Sequence, residues 1–407
     1  ESLTTHEDWD LWVRMSRLFR FKHIKEITCE FRWREDGSSM SSKSRMDFLR
    51  TADLIYKKPS APSAQEHHLA WRRQQHLLAV SHSIGDVAGK PTPDCILVSI
   101  VIPVFNRLEL TRACIEAIHR ETRAGTFEII VVDNASTDGT AEWLESEAAA
   151  GHLRVVRNES NFGYGRACNQ GISAARGGFI LLLNNDTVPQ AGWLDALLLE
   201  LLKHGGAAAA GSCLLYPGGE VIQHAGVTVG AGEGTIHPYH RWRLQRQDQV
   251  PEACISGDCR VLTGACMLLR KAALDEVGVF DEAYINGCED VELCFRLTQA
   301  GFGLRYCATS RVIHHESMTA GRRLHDFANF HRLNEHWKTI ITPEESIETT
   351  RAHLLEMQCR ERLVTEPGNP IALGELVKFC KARSDFDQAS QWQKKLLEVT
   401  SGGNSIP

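Results

Sequence analysis

The sequence predicts an α/β fold built on a mostly parallel sheet with helices on both faces. Between residues 98 and 186, four short apolar runs alternate with amphipathic helical patterns. Strands that alternate with helices of this length are joined by right-handed crossovers into parallel sheets. The 407 residues are 43% hydrophobic and 24% charged, which supplies normal packed cores for more than one structural unit.

The predicted elements follow one another closely. Strands are expected at 98–104, 127–132, 153–157 and 179–183, and helices at 109–122, at 140–149 and around residue 169. The last apolar run, Phe179 to Leu183, has no polar residue on either face, as expected for a strand buried on both sides. Asn184, Asn185 and Asp186 should then project from the carboxyl edge of the sheet.

Polar residues also follow the other predicted strands. They are Asn106, Asp133, Ser136 and Asp138. Because open α/β sheets bind ligands beyond the carboxyl ends of their strands, this edge predicts a binding site. The alternative is that these residues form turns and cap helices, for which their residue types are equally suited.

The ligand predicted for this edge is a nucleotide with a divalent cation. Asp133, at a strand end, can accept hydrogen bonds from a base or a ribose. The sequence has neither a glycine-rich dinucleotide fingerprint after the first strand nor a P-loop, so a phosphate would have to be neutralised by a metal ion. Asp186 offers the hard oxygen ligand that Mg²⁺ and Mn²⁺ prefer.

Four regions are expected along the chain. They are a C-terminal remnant of an upstream domain at 1–57, a partly helical linker at 58–95, the α/β unit at 96–342 and a helical extension at 343–407. The remnant is inferred because the pattern around Glu7 and Asp8 recurs around Glu289 and Asp290, as in an internal repeat. The alternative is a chance match between two amphipathic helices. The extension, with helices at 370–382 and 385–397, is either one tetratricopeptide-like unit or a plain helical cap.

The net charge and the composition of the chain argue against some classes of function. The formal charge of -6 argues against wide nucleic-acid binding. No apolar window is long enough for a transmembrane segment, which leaves peripheral membrane association open. Thirteen scattered cysteines indicate reduced thiols and a cytoplasmic protein, or one at the inner face of the membrane. The chain starts at Glu1 without a signal pattern, as expected for a piece of a longer protein.

In combination, these motifs resemble the inverting glycosyltransferases of family 2, which bind nucleotide-diphospho-sugars in a GT-A fold. The resemblance extends over about residues 97–320. Its motifs are VSIVIPVFN (98–106), IVVDNASTDG (130–139), NFG (161–163), LLLNND (181–186), TGA (263–265) and ED (289–290). It implies a nucleoside diphosphate sugar as donor and a saccharide or lipid-linked saccharide as acceptor, and it makes the remnant at 1–57 part of a tandem glycosyltransferase.

The resemblance also implies roles for individual residues. Asp133 would contact the base or ribose, and Asp138 would lie near the nucleotide. Further donor contacts are expected from Pro103, Asn106, Asn134, Ser136, Gly163, Asn169, Asn184, Asn185, Gly264 and Ala265. At the position of the family's Asp-x-Asp motif, Asn184 replaces the first acid, so Asp186 would be the single carboxylate on Mg²⁺ or Mn²⁺.

Two acids and a histidine complete the predicted site. An inverting single displacement needs a base for the acceptor hydroxyl, and the motif position makes Asp290 that base, with Glu289 beside it. The alternative is that both acids only stabilise a helix N-terminus. His314 and His315 follow the next predicted strand, where the resemblance implies a metal-binding histidine, and His315 is preferred over His314.

Two rival functions remain open. A catalytically inert sugar- or nucleotide-binding module is favoured by the missing first acid of the metal motif and by the truncated start. A sugar nucleotidyltransferase shares the sheet type but needs a glycine- and basic-rich loop after the first strand, where this chain has Phe105, Asn106 and Arg107. Residues 218–249, which contain several glycines and aromatic residues, are expected to form a long loop beside the site.

Overall fold

The computed structural model describes residues 97–122, 127–315 and 322–401. The expected upstream remnant at 1–57 and the linker at 58–95 lie outside the described residues. One large sheet with helices on both faces forms the body of the described chain. The predicted α/β class is therefore confirmed.

The first half alternates strands and helices as predicted. Its elements are β1 (Val98–Val104), α1 (Leu108–Glu121), β2 (Phe127–Asp133), α2 (Thr140–Ala149), β3 (Arg154–Arg157), α3 (Tyr164–Ala174) and β4 (Phe179–Leu183). Each strand, and each of α1 and α2, lies within one residue of its predicted bounds, because apolar runs and helical periodicity are strong local signals.

The second half adds mostly short strands. Its elements are β5 (Thr187–Pro189), α4 (Trp193–Lys203), β6 (Ala207–Leu215), β7 (Ile222–His224), β8 (Val227–Ala231), β9 (Ile236–His240), β10 (Gly257–Cys259), β11 (Cys266–Arg270), α5 (Lys271–Val277), α6 (Glu289–Gln299), β12 (Gly303–His314) and α7 (Asp326–Trp337), with 3₁₀ turns at Gln247–Gln249, Pro251–Cys254 and Arg322–His325. The expectation of a long loop at 218–249 was wrong, because β7 pairs with β6 and β8 with β9 inside this stretch.

The main sheet contains both parallel and antiparallel pairs, but six of its ten strands point the same way. Its strands lie in the order β10–β12–β6–β11–β4–β1–β2–β3, with β5 on β12 and β7 on β6. Strands β1, β2, β3, β4, β6 and β12 point one way, whereas β5, β7, β10 and β11 run antiparallel to their neighbours. The carboxyl ends of β1, β2 and β4 therefore meet at one edge.

The centre of the sheet is packed tightly against helices. All residues of β1 are buried, and separate hydrophobic clusters cover the two faces of the sheet. Helix α3 approaches β1 so closely that a Cβ atom on Gly171 would overlap the side chain of Val101. Glycine at this position therefore sets the close distance between α3 and β1.

The C-terminal extension consists of α8 (Ile347–Thr365), α9 (Pro370–Ala382) and α10 (Phe386–Ser401). The observed α9 has its predicted bounds. Helix α8 lies against β8, where the Ala231 N–H donates a hydrogen bond to Thr350 Oγ1 at 2.9 Å. Gly230 permits this approach, since a Cβ atom there would lie 2.9 Å from Thr350 Cβ and closer still to the tip of that side chain. Among the helices that the structure describes, none has the length and apolar character needed to cross a membrane.

Candidate active site

A cleft of about 420 Å³ opens beyond the carboxyl ends of β1 and β4 and beside the start of α6. Many of its lining residues were predicted from the sequence. They are Pro103, Asn134, Gly163, Asn184, Asn185, Asp186, Gly264, Ala265, Glu289 and Asp290. The structure thus brings the strand ends, the 263–265 turn and the two acids of α6 to one cavity.

At the end of β4, Asp186 faces a histidine from the end of β12. His314 Nε2 lies 3.1 Å from Asp186 Oδ1 and 3.2 Å from Asn184 Nδ2. The other ring nitrogen of His314, Nδ1, lies 2.6 Å from Gln223 Oε1, which can only accept, so Nδ1 carries a proton. Nε2 therefore faces Asp186, and a proton or a cation between the two atoms would stabilise the pair.

This contact involves His314 rather than His315, the histidine preferred from the sequence. His314 is 4% exposed, and successive residues of an extended strand point to opposite sides. Only one of the two rings can therefore face β4. His315 contributes its backbone N–H, which donates to the Asp186 carbonyl oxygen at 3.0 Å, and its side chain does not line the cleft.

Asp290 lies in the first turn of α6 and is held by backbone groups. Its Oδ2 accepts a hydrogen bond from the Gly264 N–H, and its Oδ1 accepts one from the Val291 N–H, each at 2.9 Å. The Gly264 carbonyl in turn accepts from the Tyr164 hydroxyl at 2.7 Å. Burial raises the pKa of Tyr164 well above its usual value, so this hydroxyl remains a donor. These bonds fix the Asp290 carboxylate in the wall of the cleft.

The neighbouring acid, Glu289, is buried and holds the loop before α6 in place. It is 6% exposed, and its carboxylate accepts a hydrogen bond from the Gly287 N–H. This bond fastens the loop before α6, as expected for an acid at a helix start. Helix α7 holds the same loop from the other side, because Asn329 bonds to both the N–H and the carbonyl of Ile285, at 3.2 and 2.8 Å.

Asp133, at the end of β2, is fully buried behind the cleft-lining Asn134, does not itself line the cleft and is incompletely bonded. Its Oδ1 accepts a hydrogen bond from the Ser136 N–H at 3.0 Å. Its Oδ2 has no hydrogen-bond partner within the described part of the chain, and the nearest cation, Arg157 Nε, is 3.8 Å away. A buried carboxylate oxygen without a donor is costly. A donor group on a bound ligand would remove that cost.

Three of the other predicted donor contacts form the turns next to the cleft instead. Asn106 Oδ1 accepts from the Thr137 N–H, and Ser136 Oγ accepts from the Asn106 N–H, both at 2.7 Å. Burial raises the pKa of Asp138, but hydrogen bonds from Thr140 and from backbone N–H groups at the start of α1 outweigh it and leave the pKa below its usual value. Asn106, Ser136 and Asp138 do not line the cleft, so here the turn-and-cap alternative describes the observed contacts.

Asn169 and Asn185 also make structural bonds. Asn169 bonds to both backbone groups of Phe280, each at 3.0 Å, and lies outside the cleft. Asn185 lines the cleft, but its amide donates to Thr111 Oγ1 on α1 at 2.9 Å. Both residues therefore position backbone around the site.

The opposite wall of the cleft comes from the 218–249 stretch, which was expected beside the site, although none of its residues was chosen as a site residue. It includes Gln223 and His224 of β7, His240 of β9 and Arg243 in the turn that follows. Burial lowers the pKa of His224 well below its usual value, and the nearby His240 and Arg241 add to this effect. No local pattern marks these residues, since side-chain contacts with distant elements, such as Gln223 with His314 on β12, hold this stretch at the cleft.

The donor set around Asp186 fits an ion that binds together with a phosphate ligand. Among the described residues there is no group of three or more His, Cys, Asp or Glu side chains that could hold a metal ion. Asp186 and His314 nevertheless form an adjacent pair, and the neighbouring Asn184 Oδ1 is buried without a hydrogen-bond partner in the part of the chain that the structure describes. Mg²⁺ commonly takes one or two protein ligands and completes its shell with substrate phosphates and water.

Comparisons with known proteins identify the family to which this chain belongs. The family model described as Glycosyl transferase family 2 matches residues 99–278. An N-acetylglucosaminyl-diphospho-decaprenol L-rhamnosyltransferase of Mycobacterium tuberculosis is 30% identical over 213 residues, which cover 48% of this chain and 68% of that protein. The chain therefore belongs to glycosyltransferase family 2.

Other relatives are much longer than this chain. The O-antigen biosynthesis protein RfbC of Myxococcus xanthus is 31% identical over 411 residues, which are 98% of this chain but 31% of that protein. An uncharacterized protein of Sinorhizobium fredii is 28% identical over 82% of this chain and 37% of its own length. The chain spans about a third of the length of these two relatives. Among solved structures, GalNAc-T7 with UDP, GalNAc and Mn²⁺ aligns over 54% of this chain and 44% of its own, with a TM-score of 0.44 and 18% identity.

Proposed function

We propose that this chain is a metal-dependent inverting glycosyltransferase. It moves a sugar from a UDP- or dTDP-linked donor to a hydroxyl group of a saccharide or a lipid-linked saccharide. The observation that carries the proposal is that Asp186 and Asp290 line one cleft. Asp186 faces His314, and Asp290 is held by the Gly264 backbone. One carboxylate is suited to the leaving diphosphate and the other to the acceptor hydroxyl.

Asp133 and Asn134 are the residues proposed for the nucleoside. The unpartnered, buried Oδ2 of Asp133 supports this role, because an N–H group of a base or a ribose hydroxyl would supply the missing hydrogen bond. Asn134 follows directly, lines the cleft and donates to the Gly163 carbonyl at 3.2 Å. The nucleoside would thus be held between the end of β2 and the start of α3.

Asp186 and His314 are proposed to hold Mg²⁺ or Mn²⁺ together with the donor diphosphate. When bound, the ion would neutralise the charge that develops on the leaving diphosphate. Gln223 keeps the Nε2 lone pair of His314 available, as hydrogen-bond partners of metal-binding histidines commonly do. Because Asn184 replaces the first acid of the motif, this pair supplies one carboxylate only, and ion binding should depend on the donor.

Asp290 is proposed as the general base. Its carboxylate accepts the proton of the acceptor hydroxyl while the hydroxyl oxygen attacks the anomeric carbon and the bond from that carbon to the diphosphate oxygen breaks. A single displacement of this kind inverts the anomeric configuration. The backbone bonds from Gly264 and Val291 orient the carboxylate, and Glu289 fixes the loop beside it.

The acceptor class is inferred from the relatives. One is named for O-antigen biosynthesis and another for N-acetylglucosaminyl-diphospho-decaprenol. A saccharide of a polysaccharide under synthesis, free or lipid-linked, is therefore the proposed acceptor. A lipid-linked acceptor would bring the enzyme to the cytoplasmic face of a membrane.

Calorimetry with UDP, dTDP and GDP, each with and without Mn²⁺, tests the nucleotide part of this proposal. We expect UDP or dTDP to bind, and to bind more tightly with Mn²⁺, whereas GDP binds weakly. No binding of any of the three nucleotides would contradict the proposal. Tight binding without sugar transfer or donor hydrolysis would favour the inert binding module, the rival that Asn184 supports.

A further inference from the structure

A second cavity adjoins the cleft on the side away from β1. It has a volume of about 290 Å³ and lies between the β8–β9 hairpin and helices α8 and α9. His240 and Arg243 line both this cavity and the cleft, so the two spaces share a wall. The volume is near the lower end of the range of about 300–1,000 Å³ that is typical of small-molecule sites.

The charged groups around this cavity are matched in number. The pairs are Arg241 with Glu344, Arg243 with Glu361, Arg360 and Arg383 both with Glu356, and His353 with Glu345. These four arginines and four glutamates carry no net charge together, although only two of the glutamates, Glu345 and Glu356, line the cavity itself. The lining offers donors from guanidinium groups and acceptors from carboxylates side by side, and hydroxyl groups can bond to both.

Aromatic side chains complete the lining. Tyr239 and Trp242 are both partly exposed to the cavity, and aromatic rings present apolar faces with a polar edge. A sugar ring has complementary surfaces, since its C–H groups can lie on an aromatic face while its hydroxyls bond to charged side chains. The combination of matched charges and aromatic rings favours a neutral saccharide.

Hydrogen bonds connect the elements that surround the cavity. The Tyr239 hydroxyl bonds to Glu345 and lies 2.7 Å from His353 Nδ1, which ties β9 to the start of α8. Trp242 and Leu244 have positive φ angles of 50° and 63°, a conformation that bulky residues rarely adopt and that often occurs at ligand sites. The turn that carries Trp242 and Arg243 is thus held in one shape by its surroundings.

We propose that this second cavity binds a neutral sugar unit of the acceptor, next to the unit that reacts at Asp290. This inference rests on the proposed function, because it assumes that the cleft binds a saccharide acceptor. An acceptor of more than one sugar would pass the shared wall of His240 and Arg243. The C-terminal helices would then contribute to acceptor recognition.

The test measures binding of the full chain, fluorescently labelled, to an array of neutral and uronic-acid-containing oligosaccharides of increasing length. Trp242→Ala removes the ring, and Arg383→Ala removes a lining guanidinium that is 43% exposed. Arg362→Ala is the matched control, since Arg362 is a 53% exposed arginine that pairs with Glu366 and does not line the cavity. UDP binding by calorimetry is measured on every variant.

The wild-type chain and Arg362→Ala should retain neutral oligosaccharides longer than one sugar, and the two cavity variants should bind them about tenfold more weakly with unchanged UDP affinity. Equal binding by all variants, no retention of any oligosaccharide, or a preference for the acidic ones would overturn the proposal. If the wild-type chain did not bind UDP, that result would instead count against the proposed function. The two failures are therefore distinguishable.

Discussion

The two walls of the cleft are built in different ways. On the proposed donor side, the predicted site residues stand at the ends of β1, β2 and β4 and at the start of α6, and buried neighbouring strands fix their positions. On the opposite side, Gln223, His240 and Arg243 come from short strands and a turn that depend on contacts with other elements, including α8. Changes on the donor side should therefore alter chemistry with the fold intact. Changes on the opposite side should alter acceptor binding or local stability.

The largest effect is expected for Asp290→Asn. The amide cannot take the acceptor proton, so kcat of transfer should fall by a factor of about 10²–10⁴ while nucleotide affinity stays unchanged. Steady-state kinetics and calorimetry measure the two quantities. Asp275→Asn, an exposed acid on the neighbouring helix α5, should retain full activity. Wild-type turnover in Asp290→Asn would remove Asp290 from the role of base.

Metal removal should have the next largest effect. EDTA, or the Asp186→Ala substitution, should reduce transfer by about 100-fold or more, because an ion that neutralises the leaving diphosphate contributes several kcal/mol. Excess Mn²⁺ should restore the EDTA-treated wild-type chain and should not restore Asp186→Ala. Full activity in EDTA would show that the reaction proceeds without a divalent ion.

A smaller effect distinguishes the two adjacent histidines. His314→Ala should weaken Mn²⁺-dependent UDP binding by about 10–100-fold, since its Nε2 faces Asp186. His315→Ala should bind UDP as the wild-type chain does, because its contact with Asp186 is made by the backbone. Titrations of both variants with Mn²⁺ give the comparison. The reverse order of effects would restore His315, the histidine preferred from the sequence, as the ligand.

The smallest effect concerns the attachment of α8 to β8. In Gly230→Ala, the added methyl group would collide with the buried Thr350, and the free energy of unfolding should fall by about 1–3 kcal/mol. Gly205→Ala is the control, because, apart from its two chain neighbours, no atom of the described residues lies within 4 Å of the added group, and its stability should change by less than about 0.5 kcal/mol. Urea unfolding measures both values. Equal stability of the two variants would mean that α8 does not need this close contact.

The positions of the residues on the proposed donor side could be predicted from the sequence because their signals are local. An apolar run that ends in Asn184, Asn185 and Asp186 defines both a buried strand and the position of its polar end. The same logic located Asp133 and the first turn of α6 with Asp290. It could not separate cleft residues from turn residues, as Asp138 shows, because capping and ligand binding use the same residue types.

The 218–249 stretch was expected beside the site, but its lining residues could not be selected because contacts with distant residues, such as those of Gln223 with His314 and of Arg243 with Glu361, position them. Strand β7 has three residues, too few for a periodic pattern, and the glycines of 218–249 suggested a loop. The choice between His314 and His315 failed to match the observed contact for a related reason. Which ring faces β4 depends on the register of β12 against β5, and a shift of one residue exchanges the two sides of a strand.

The most direct test of the proposed activity is a donor screen with UDP-, dTDP- and GDP-sugars in the presence of Mn²⁺ and an array of saccharide acceptors. It is scored by released nucleoside diphosphate and by the anomeric configuration of the product. The proposal predicts release from a UDP- or dTDP-sugar and a product of inverted configuration. Nucleotide binding with no release from any donor, or a product of retained configuration, would contradict it.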